Sequence, residues 1–452
     1  MNFDQALDYL LSLGHETLTI KLGLQNTETL LAGLGNPERT FPAVQIAGTN
    51  GKGSTAAFLD SICRAAGIRT GLFTSPHLVS ITERIKIDGR PIPEMAFARS
   101  TGIVKAVGER LVAGGELTAL PTFFEHVTAI ALLAFAESHV ELAILETGLG
   151  GRLDSTTAVN ARIVAITPVD MDHQEYLGHT LAEIAAEKAA IIQPGVTAIV
   201  APQSAEALNV ILRRCDSVGV QPRLIASSAA GLDEAVVSTG CVNRIVGTTA
   251  DGRAIVSFKT PGATYDRVTL ALRGFHQVDN AATAILIAEA LREKDFRISH
   301  EAIVQGIENA THPGRLEMWP GSPQFLFDGA HNPAAAIALR NYLDEFLDEP
   351  VVMVFGAMRD KALPEMMRAL FPKVARVILT TVDNPRAASI EELIAAVPEG
   401  LGQLDILRAS SVSEALELAR EITPPNGVVC VTGSLHLIGA AQEQLRAGLR
   451  KD

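Results

Sequence analysis

The stretch from Gly48 to Ser54, Gly-Thr-Asn-Gly-Lys-Gly-Ser, has the composition of a phosphate-binding loop. An apolar run at 44–47 indicates a short buried strand before it, and a segment with a helical pattern follows at 55–66. Glycines leave backbone N–H groups free to face phosphate oxygens, Lys52 adds a point charge, and Ser54 can reach a Mg²⁺ ion. The common phosphate-loop pattern fits imperfectly, because a glycine separates the lysine from the serine. A glycine-rich turn without a ligand is the alternative, but the lysine and the hydroxyl favour nucleotide binding.

Two later apolar strands are each followed by a side chain that can bind a metal ion. Glu146 follows a strand at 141–145, where nucleotide-using proteins place a Mg²⁺ ligand, although an exposed carboxylate is the alternative. His173 follows a strand at 163–167 and alone would form a local hydrogen bond. Beside a strand-end glutamate it becomes a candidate ligand to a second divalent ion. The glycines after Glu146 do not form a dinucleotide-binding motif, because Leu153 stands in the place of the third glycine.

Further cationic and acidic candidates lie later in the chain. Lys188 is in a helical segment, where a lysine is normally a solvated charge. Arg315 suits a polyphosphate, because its guanidinium group binds two oxygens at once, and an interdomain salt bridge is the alternative. Asp328 and His331 follow an apolar strand and are therefore expected at a strand tip.

The elements that must position these residues alternate between strands and helices. Helical patterns cover two short segments within 4–35 and longer ones at 93–113, 123–138 and 279–292. Strand–loop–helix units predict a parallel sheet with ligands at the carboxyl ends of its strands. Short β stretches at 223–272 and a linker at 293–297 precede renewed strands at 325–328, 351–355, 377–382 and 428–432. We predict an α/β protein: an N-terminal nucleotide-binding domain at 1–296, with a mostly parallel P-loop-type sheet flanked by helices, and a smaller Rossmann-like α/β domain at 297–452.

Composition restricts the partners and the compartment. The chain has 452 residues and a formal net charge of −13, which argues against a nucleic-acid partner. Its four cysteines form no C-x-x-C motif and signal neither a zinc site nor a disulfide framework. No signal-peptide pattern or membrane-spanning run is present. We therefore expect a cytoplasmic protein without a membrane partner, and we favour a monomer.

Together the motifs resemble those of the Mur ligase superfamily, and within it the folylpolyglutamate synthase and dihydrofolate synthase family. The resemblance covers nearly the whole chain and rests on Ile20–Leu24, Gly48–Ser54, Thr74–Leu78, Glu83–Ile85, Glu146 with Gly148–Asp154, Asp172-His173, Glu187–Ala189, His276-Gln277 with Asn280-Ala281, Gly314–Glu317, Asp328–Pro333 and Gly433–Leu435. This chain departs from the family in Thr167-Pro168-Val169, where relatives often have Thr-Asn-Ile, and in Ala189-Ala190, where they have Ala-Gly. Neither departure removes a functional atom.

The resemblance implies a role for each matching position. ATP would contact Gly48, Thr49, Asn50, Gly51, Lys52, Gly53, Ser54, Asn280, Arg315 and Asp328. Mg²⁺, at two sites, would be bound by Ser54, Ser75, Glu146 and His173. The pterin or folate would contact Thr74, Pro76, His77, Glu83, Arg84, Thr122, Phe124, Glu125, Arg152, Leu153 and Asp154. Lys52, Lys188 and His331 would be catalytic, with Lys188 carried as a carbamate made from CO₂.

The implied activity is an ATP-dependent ligase that adds L-glutamate to dihydropteroate, to folylpolyglutamates, or to both, through an acyl phosphate. Bifunctionality is favoured because the segment 122–125 fits the pterin-binding segment of bifunctional bacterial members. A Mur-type ligase acting on a UDP-sugar peptide is the nearest alternative, and the short stretch before the phosphate loop disfavours it. A nucleotide-binding regulator without ligase chemistry is a third interpretation, which Glu146, His173 and Lys188 disfavour.

Overall fold

Two β-sheets with flanking helices form the framework of the protein. The computed structural model describes residues 1–14, 23–227, 240–348, 350–401 and 404–449. Residues 20–22 of the Ile20–Leu24 motif therefore lie outside the described residues. The two sheets have 11 and six strands in the described part of the chain, which confirms the predicted α/β class with a smaller second sheet.

The first sheet has a parallel centre and antiparallel edges. Its strands are β1 (Ala43–Ala47), β2 (Thr70–Phe73), β3 (Ile85–Ile87), β4 (Arg90–Pro91), β5 (Leu142–Glu146), β6 (Ile163–Ile166), β7 (Thr197–Val200), β8 (Arg223–Ser227), β9 (Cys241–Thr248), β10 (Ala254–Lys259) and β11 (Thr264–Thr269). Their order is β11-β10-β9-β8-β7-β6-β1-β5-β2-β3-β4. Neighbours from β9 through to β2 run parallel, and β10, β11, β3 and β4 join in antiparallel fashion. The short β stretches predicted at 223–272 thus extend this sheet to one edge.

The second sheet is parallel except at one edge. Its strands are β12 (Glu317–Trp319), β13 (Gln324–Asp328), β14 (Val351–Phe355), β15 (Arg376–Leu379), β16 (Asp405–Arg408) and β17 (Val428–Thr432). They lie in the order β12-β13-β17-β14-β15-β16, and only the β12–β13 pairing is antiparallel among them.

Helices cover the faces of both sheets. They are α1 (Phe3–Ser12), α2 (Gln25–Gly33), α3 (Lys52–Ala65), α4 (Glu94–Ala113), α5 (Phe123–Glu137), α6 (Gln174–Leu177), α7 (Leu181–Ala189), α8 (Ala205–Ser217), α9 (His276–Arg292), α10 (His300–Asn309), α11 (Pro333–Phe346), α12 (Leu363–Leu370), α13 (Ile390–Ala395), α14 (Val412–Ile422) and α15 (Leu435–Leu449). None of the described helices combines the length and the apolar character that crossing a membrane requires.

The last helix of the first core is α10. Ile303 and Ile307 are fully buried with residues of α3 and α9 in one apolar cluster, which continues to Ala310. The segment 293–297, predicted as a linker, is instead a turn between α9 and α10. The domain boundary predicted between 296 and 297 stays a prediction, and this packing favours a crossing to the second sheet after Ala310.

Replacement of Gly306 by alanine tests this packing. A Cβ atom there would lie 2.3 Å from the Cα atom of Ile62 in α3, so one helix must move. We expect Gly306→Ala to lower the free energy of unfolding by about 1–3 kcal/mol, as overpacking does. Gly102→Ala, in α4 with no atom within 4 Å of the new Cβ, is the control and should raise it by about 0.5–1 kcal/mol. Urea unfolding followed by circular dichroism measures both, and equal effects would show that α10 does not pack on α3.

Candidate active site

The phosphate loop leaves β1 and ends at the first turn of α3. Gly51 precedes the helix with φ +88°, a conformation that glycine adopts without strain. A Cβ atom on Gly51 would lie 2.3 Å from Oδ1 of Asn280, so α9 closes one side of the loop. The N–H of Thr49 donates to the carbonyl of Pro168, which fixes the loop to the segment after β6. A helix N-terminus and a glycine-lined turn therefore form a cradle that fits a phosphate group.

Two lysines converge on one carbonyl oxygen of this loop. Nζ of Lys52 lies 3.1 Å from the oxygen of Gly48, and Nζ of Lys188, from α7, lies 2.8 Å from it. Lys188 is 4% exposed. Burial, and next the charge of Lys52, lower the pKa of Lys188 to about 7, so a neutral amine is accessible at physiological pH. The notion that Lys188 is a solvated helical charge is therefore wrong for this fold.

Glu146, the last residue of β5, lies beside the phosphate loop. Its Oε2 accepts a hydrogen bond of 3.3 Å from the N–H of Ser75, and a Cβ atom on Gly53 would lie 3.2 Å from it. Burial raises the pKa of Glu146, while the charges of Lys52 and Arg315 oppose that shift. Together with the hydroxyl of Ser54, this set offers the hard oxygen donors that Mg²⁺ prefers.

His173 belongs to a second polar group near the phosphate loop, centred on Asp172. Oδ1 of Asp172 accepts a hydrogen bond of 2.8 Å from Nζ of Lys361, and both side chains are 9% exposed. Burial alone would raise the pKa of Asp172, but His173, Lys361 and His331 together hold it below its usual range. Burial lowers the pKa of His173 to about 3, so its imidazole is neutral, which is the form that binds metal ions.

The second domain supplies the other side of the site. Nη1 of Arg315 donates to the carbonyl of Gly329, and Asp328 at the end of β13 accepts from the N–H groups of Leu316 and Ala330. Nδ2 of Asn332 donates to Oδ1 of Asn50 at 3.0 Å, so the second domain bonds directly to the phosphate loop.

The predicted pterin residues divide into two groups. Thr122, Phe124, Glu125, Leu153, Asp154 and Pro76 line the same cavity as the phosphate loop. Thr74, His77, Glu83, Arg84 and Arg152 are not among its lining residues. Glu83 accepts hydrogen bonds from the N–H groups of residues 78–80, and Arg152 forms an exposed ion pair with Glu187.

Two of the cavity-lining carboxylates also hold backbone in place. Oδ2 of Asp154 accepts hydrogen bonds of 2.9 Å from the N–H groups of Gly148 and Leu149. Oε2 of Glu125 accepts one of 2.6 Å from the N–H of Thr122, which completes the cap of α5. These carboxylates therefore shape the wall of the cavity through the loops that they hold.

The cavity lies between the two domains and has a volume of about 460 Å³. It is lined by all seven phosphate-loop residues and by Ser75, Glu146, His173, Lys188, Asn280, Arg315, Asp328 and His331. Another cavity, of about 830 Å³, lies at the opposite edge of the first sheet near Pro42 and Glu141, which precede β1 and β5. Ligands of parallel sheets bind at the carboxyl edge, so the interdomain cavity is the candidate active site.

Sequence reasoning missed several residues of this site. Asp170 receives a hydrogen bond from Asn50, Gln277 and His312 contact the hydroxyl of Ser54, and Lys361 bonds Asp172. Asp172 and Gln277 already belong to the motifs that carry the resemblance, without a role assigned to them, and Asp170 and His312 each lie three positions before a residue that was singled out. Lys361 follows β14 in the second sheet, and its strand-end position was the available signal.

Comparison with known proteins gives a consistent result. Residues 46–288 match the Mur ligase middle domain, and residues 314–435 match the Mur ligase glutamate ligase domain. The chain is 34% identical over 435 residues to the dihydrofolate synthase/folylpolyglutamate synthase of Bacillus subtilis, covering 94% of this chain and 96% of that protein. It is 37% identical over 442 residues to a probable bifunctional folylpolyglutamate synthase/dihydropteroate synthase of Haloferax volcanii. That match covers 98% of this chain but spans only 50% of that protein.

Solved structures agree in fold. The folylpolyglutamate synthase of Mycobacterium tuberculosis complexed with ADP superimposes with a TM-score of 0.88 at 30% identity, covering 98% of both chains. The bifunctional folylpolyglutamate synthase/dihydrofolate synthase of Yersinia pestis, complexed with AMPPNP and Mn ion, superimposes with a TM-score of 0.83 at 28% identity. That match covers 99% of this chain and 98% of the Yersinia chain.

The ion pair between Asp172 and Lys361 tests the geometry between the domains. Removal of one partner leaves the other buried and unpaired, so Asp172→Asn should lower the free energy of unfolding by about 3 kcal/mol. Lys361→Met should have a similar effect, and the double variant should cost less than the sum of the two.

Differential scanning calorimetry of the unligated protein measures these changes. The matched control is Arg340→Ala, which breaks a pair with Asp344 whose side chains are 31% and 33% exposed and should cost under about 1 kcal/mol. Effects at Asp172 no larger than at Arg340 would show that the two domains do not meet through this pair.

Proposed function

The chain belongs to the folylpolyglutamate synthase and dihydrofolate synthase family of Mur ligases, and on that premise we propose how it joins L-glutamate to a pteroate or a folate. It is an ATP-dependent ligase. The observation that carries the proposal is the convergence of Lys52, Glu146, Lys188 and Arg315 on one interdomain cavity. Three anionic groups must come together in such a reaction, namely the triphosphate, the substrate carboxylate and glutamate. Cations held in position reduce the electrostatic repulsion among them.

The first step activates the carboxylate. An oxygen of the pteroate or folate carboxylate attacks the γ-phosphorus of ATP, the bond from that phosphorus to ADP breaks, and an acyl phosphate forms. Lys52 and the loop N–H groups hold the phosphates, and Arg315 reaches them from the second domain. The predicted contacts of Asn280 and Asp328 with the nucleotide belong to the same proposal. Because an acyl phosphate hydrolyses readily, the burial of the cavity between two domains serves to exclude water.

The second step forms the amide. The neutral amine nitrogen of L-glutamate attacks the acyl carbon, and the carbon–oxygen bond to phosphate breaks. Inorganic phosphate leaves and takes up the proton that the nitrogen gives up as it becomes an amide. Nδ1 of His331 lies 2.8 Å from the carbonyl oxygen of Gly329 and must donate its proton there, so Nε2 carries the lone pair. Burial, and next Lys361, lower the pKa of His331 to about 4, so the ring is neutral. We infer that Nε2 accepts a hydrogen bond from the incoming amine.

The metal assignments follow from the donor atoms. Glu146 with the hydroxyls of Ser54 and Ser75 fits one divalent ion, and neutral His173 fits a second. Bound divalent ions would neutralise and orient the phosphate and carboxylate oxygens. The aromatic ring of Phe124 and the side chain of Leu153 form the apolar wall against which we place the pterin. We propose that the enzyme is bifunctional and adds glutamate both to dihydropteroate and to folates.

Lys188 is proposed as a carbamate. Carbamate formation joins the neutral amine to CO₂ with loss of one proton and turns the side chain into an anion. Burial lowers the pKa of Lys188 to about 7, so the neutral amine that the reaction needs is present. The remaining N–H of a carbamate can keep the hydrogen bond to the Gly48 carbonyl, and its oxygens can orient the ion beside His173.

We further infer that the protein acts in the cytoplasm as a monomer, with ATP, L-glutamate and a pteroate or folate as its small-molecule partners. The four cysteines are all buried free thiols, which fits a reducing compartment. The assignments of Thr74, His77, Glu83, Arg84 and Arg152 to substrate binding stay predictions.

A ligation assay tests the proposed reaction. Purified protein receives ATP, Mg²⁺ and L-glutamate with dihydropteroate or tetrahydrofolate in turn, and mass spectrometry detects addition of one glutamyl residue. Lys52→Ala and Glu146→Ala should remain folded and lose at least about 100-fold in turnover, because the first removes a cation from the phosphates and the second removes the carboxylate proposed to bind the divalent ion. Lys259→Ala, at an exposed lysine of β10, should retain activity.

Normal turnover by either site variant would refute the residue assignment. Phosphate release that requires a UDP-sugar peptide, and not a pterin, would establish the Mur-type alternative. Nucleotide binding without any ligated product would establish the regulator.

The carbamate has a distinct spectroscopic test. With ¹³C-bicarbonate, we expect a carbamate carbon signal that is strong at pH 8 and weak at pH 6. A pKa of about 7 means that the neutral amine falls from about nine tenths to about one tenth across that range. Lys188→Met should lose the signal and Lys259→Met should keep it. A signal independent of Lys188, or none at pH 8, would contradict the carbamate.

A further inference from the structure

His312 lies where the chain crosses from the first domain to the second. It follows α10, the last helix of the first core, and precedes β12, the first strand of the second sheet. Its ring lines the interdomain cavity and is only partly exposed. Nδ1 of His312 lies 3.1 Å from the hydroxyl oxygen of Ser54. A Cβ atom on Gly53 would lie 2.8 Å from Cε1 of the same ring, so the imidazole packs directly on the phosphate loop.

The direction of the hydrogen bonds at Ser54 follows from its other partner. Nδ2 of Asn280 donates to Oε1 of Gln277 at 2.9 Å, which leaves the Gln277 amide nitrogen as a donor. That nitrogen lies 3.2 Å from the hydroxyl oxygen of Ser54. The hydroxyl therefore accepts one hydrogen bond from Gln277 and has one proton to donate.

We propose that His312 is a positioning residue, whose Nδ1 accepts the proton of Ser54 and so directs the free lone pair of that hydroxyl toward the divalent ion. The inference rests on the proposed role of Ser54 as a ligand of that ion. If Nδ1 instead carried the proton, both lone pairs of Ser54 would be occupied and its proton would face the cation.

Because of where His312 lies in the chain, its hydrogen bond with Ser54 links the phosphate loop to the arrangement of the two domains. The residue belongs to the segment that joins the two cores, so the position of the second domain sets the position of the ring. Orientation of a metal ligand is thereby tied to the arrangement of the domains. Partners that orient metal ligands in this way typically change metal affinity by about 10–100-fold.

The test measures Mn²⁺ affinity by electron paramagnetic resonance with AMPPNP as the nucleotide, independently of turnover. His312→Phe keeps the bulk and removes the acceptor, and should weaken Mn²⁺ binding by about 10-fold. His312→Asn, whose Oδ1 takes the place of Nδ1, should restore most of that affinity. In the Ser54→Ala background, His312→Phe should have no further effect, because the histidine acts through the hydroxyl.

The outcomes separate this inference from the proposed function. Unchanged Mn²⁺ affinity in Ser54→Ala would refute the metal assignment itself. Weakened binding in Ser54→Ala with unchanged binding in His312→Phe would overturn the role of His312, and so would an undiminished effect of His312→Phe in the Ser54→Ala background. AMPPNP affinity without metal and circular dichroism report on folding. His312→Gln, which lacks an acceptor at the Nδ1 position, is the second variant if His312→Phe does not fold, and it should weaken Mn²⁺ binding equally.

Discussion

The carbonyl oxygen of Gly48 lies 2.8 Å from the amine of Lys188 and 3.1 Å from that of Lys52. Burial, and next the nearby charge of Lys52, lower the pKa of Lys188, because a buried amine beside a second cation holds its own charge only at high cost. An anion on the phosphate loop, or conversion of Lys188 into a carbamate, removes the repulsion. The chain has a net charge of −13, yet it places the amines of Lys52 and Lys188 together at the phosphate loop, where the expected ligand is an anion.

The sheet determines which residues can reach this point. Strand β1 lies between β5 and β6, and all three are parallel, so their carboxyl ends emerge side by side. The phosphate loop, Glu146 and the segment that carries His173 follow these three ends. Each was predicted from the sequence, because a strand-end position needs only a local apolar run and the parallel order. The same reasoning placed Asp328 at the tip of a strand, and it is the last residue of β13 in the second sheet.

The contacts that escaped prediction depend on packing between distant segments. Lys361 and Asp172 are 189 positions apart and meet only because the domains pack edge to edge. Glu83 was assigned to the substrate, yet its carboxylate accepts hydrogen bonds from its own loop, and no spacing rule separates these two roles. The segment 293–297 is rich in charged residues, as linkers often are. The helix that follows it, α10, nevertheless belongs to the first core, because its apolar face, formed by Ile303 and Ile307, is buried there.

The polar contacts between the domains involve the groups that are expected to hold ligands. Asn332 bonds Asn50 of the phosphate loop, Lys361 bonds Asp172 beside His173, and His312 contacts Ser54. A ligand on the loop must therefore compete with, or reorganise, the bonds that hold the domains together. Polar interfaces of this kind permit relative motion of domains more readily than apolar ones. The proposed reaction must protect an acyl phosphate from water and afterwards release its products. It needs such coupling, because closure and binding then use the same hydrogen bonds.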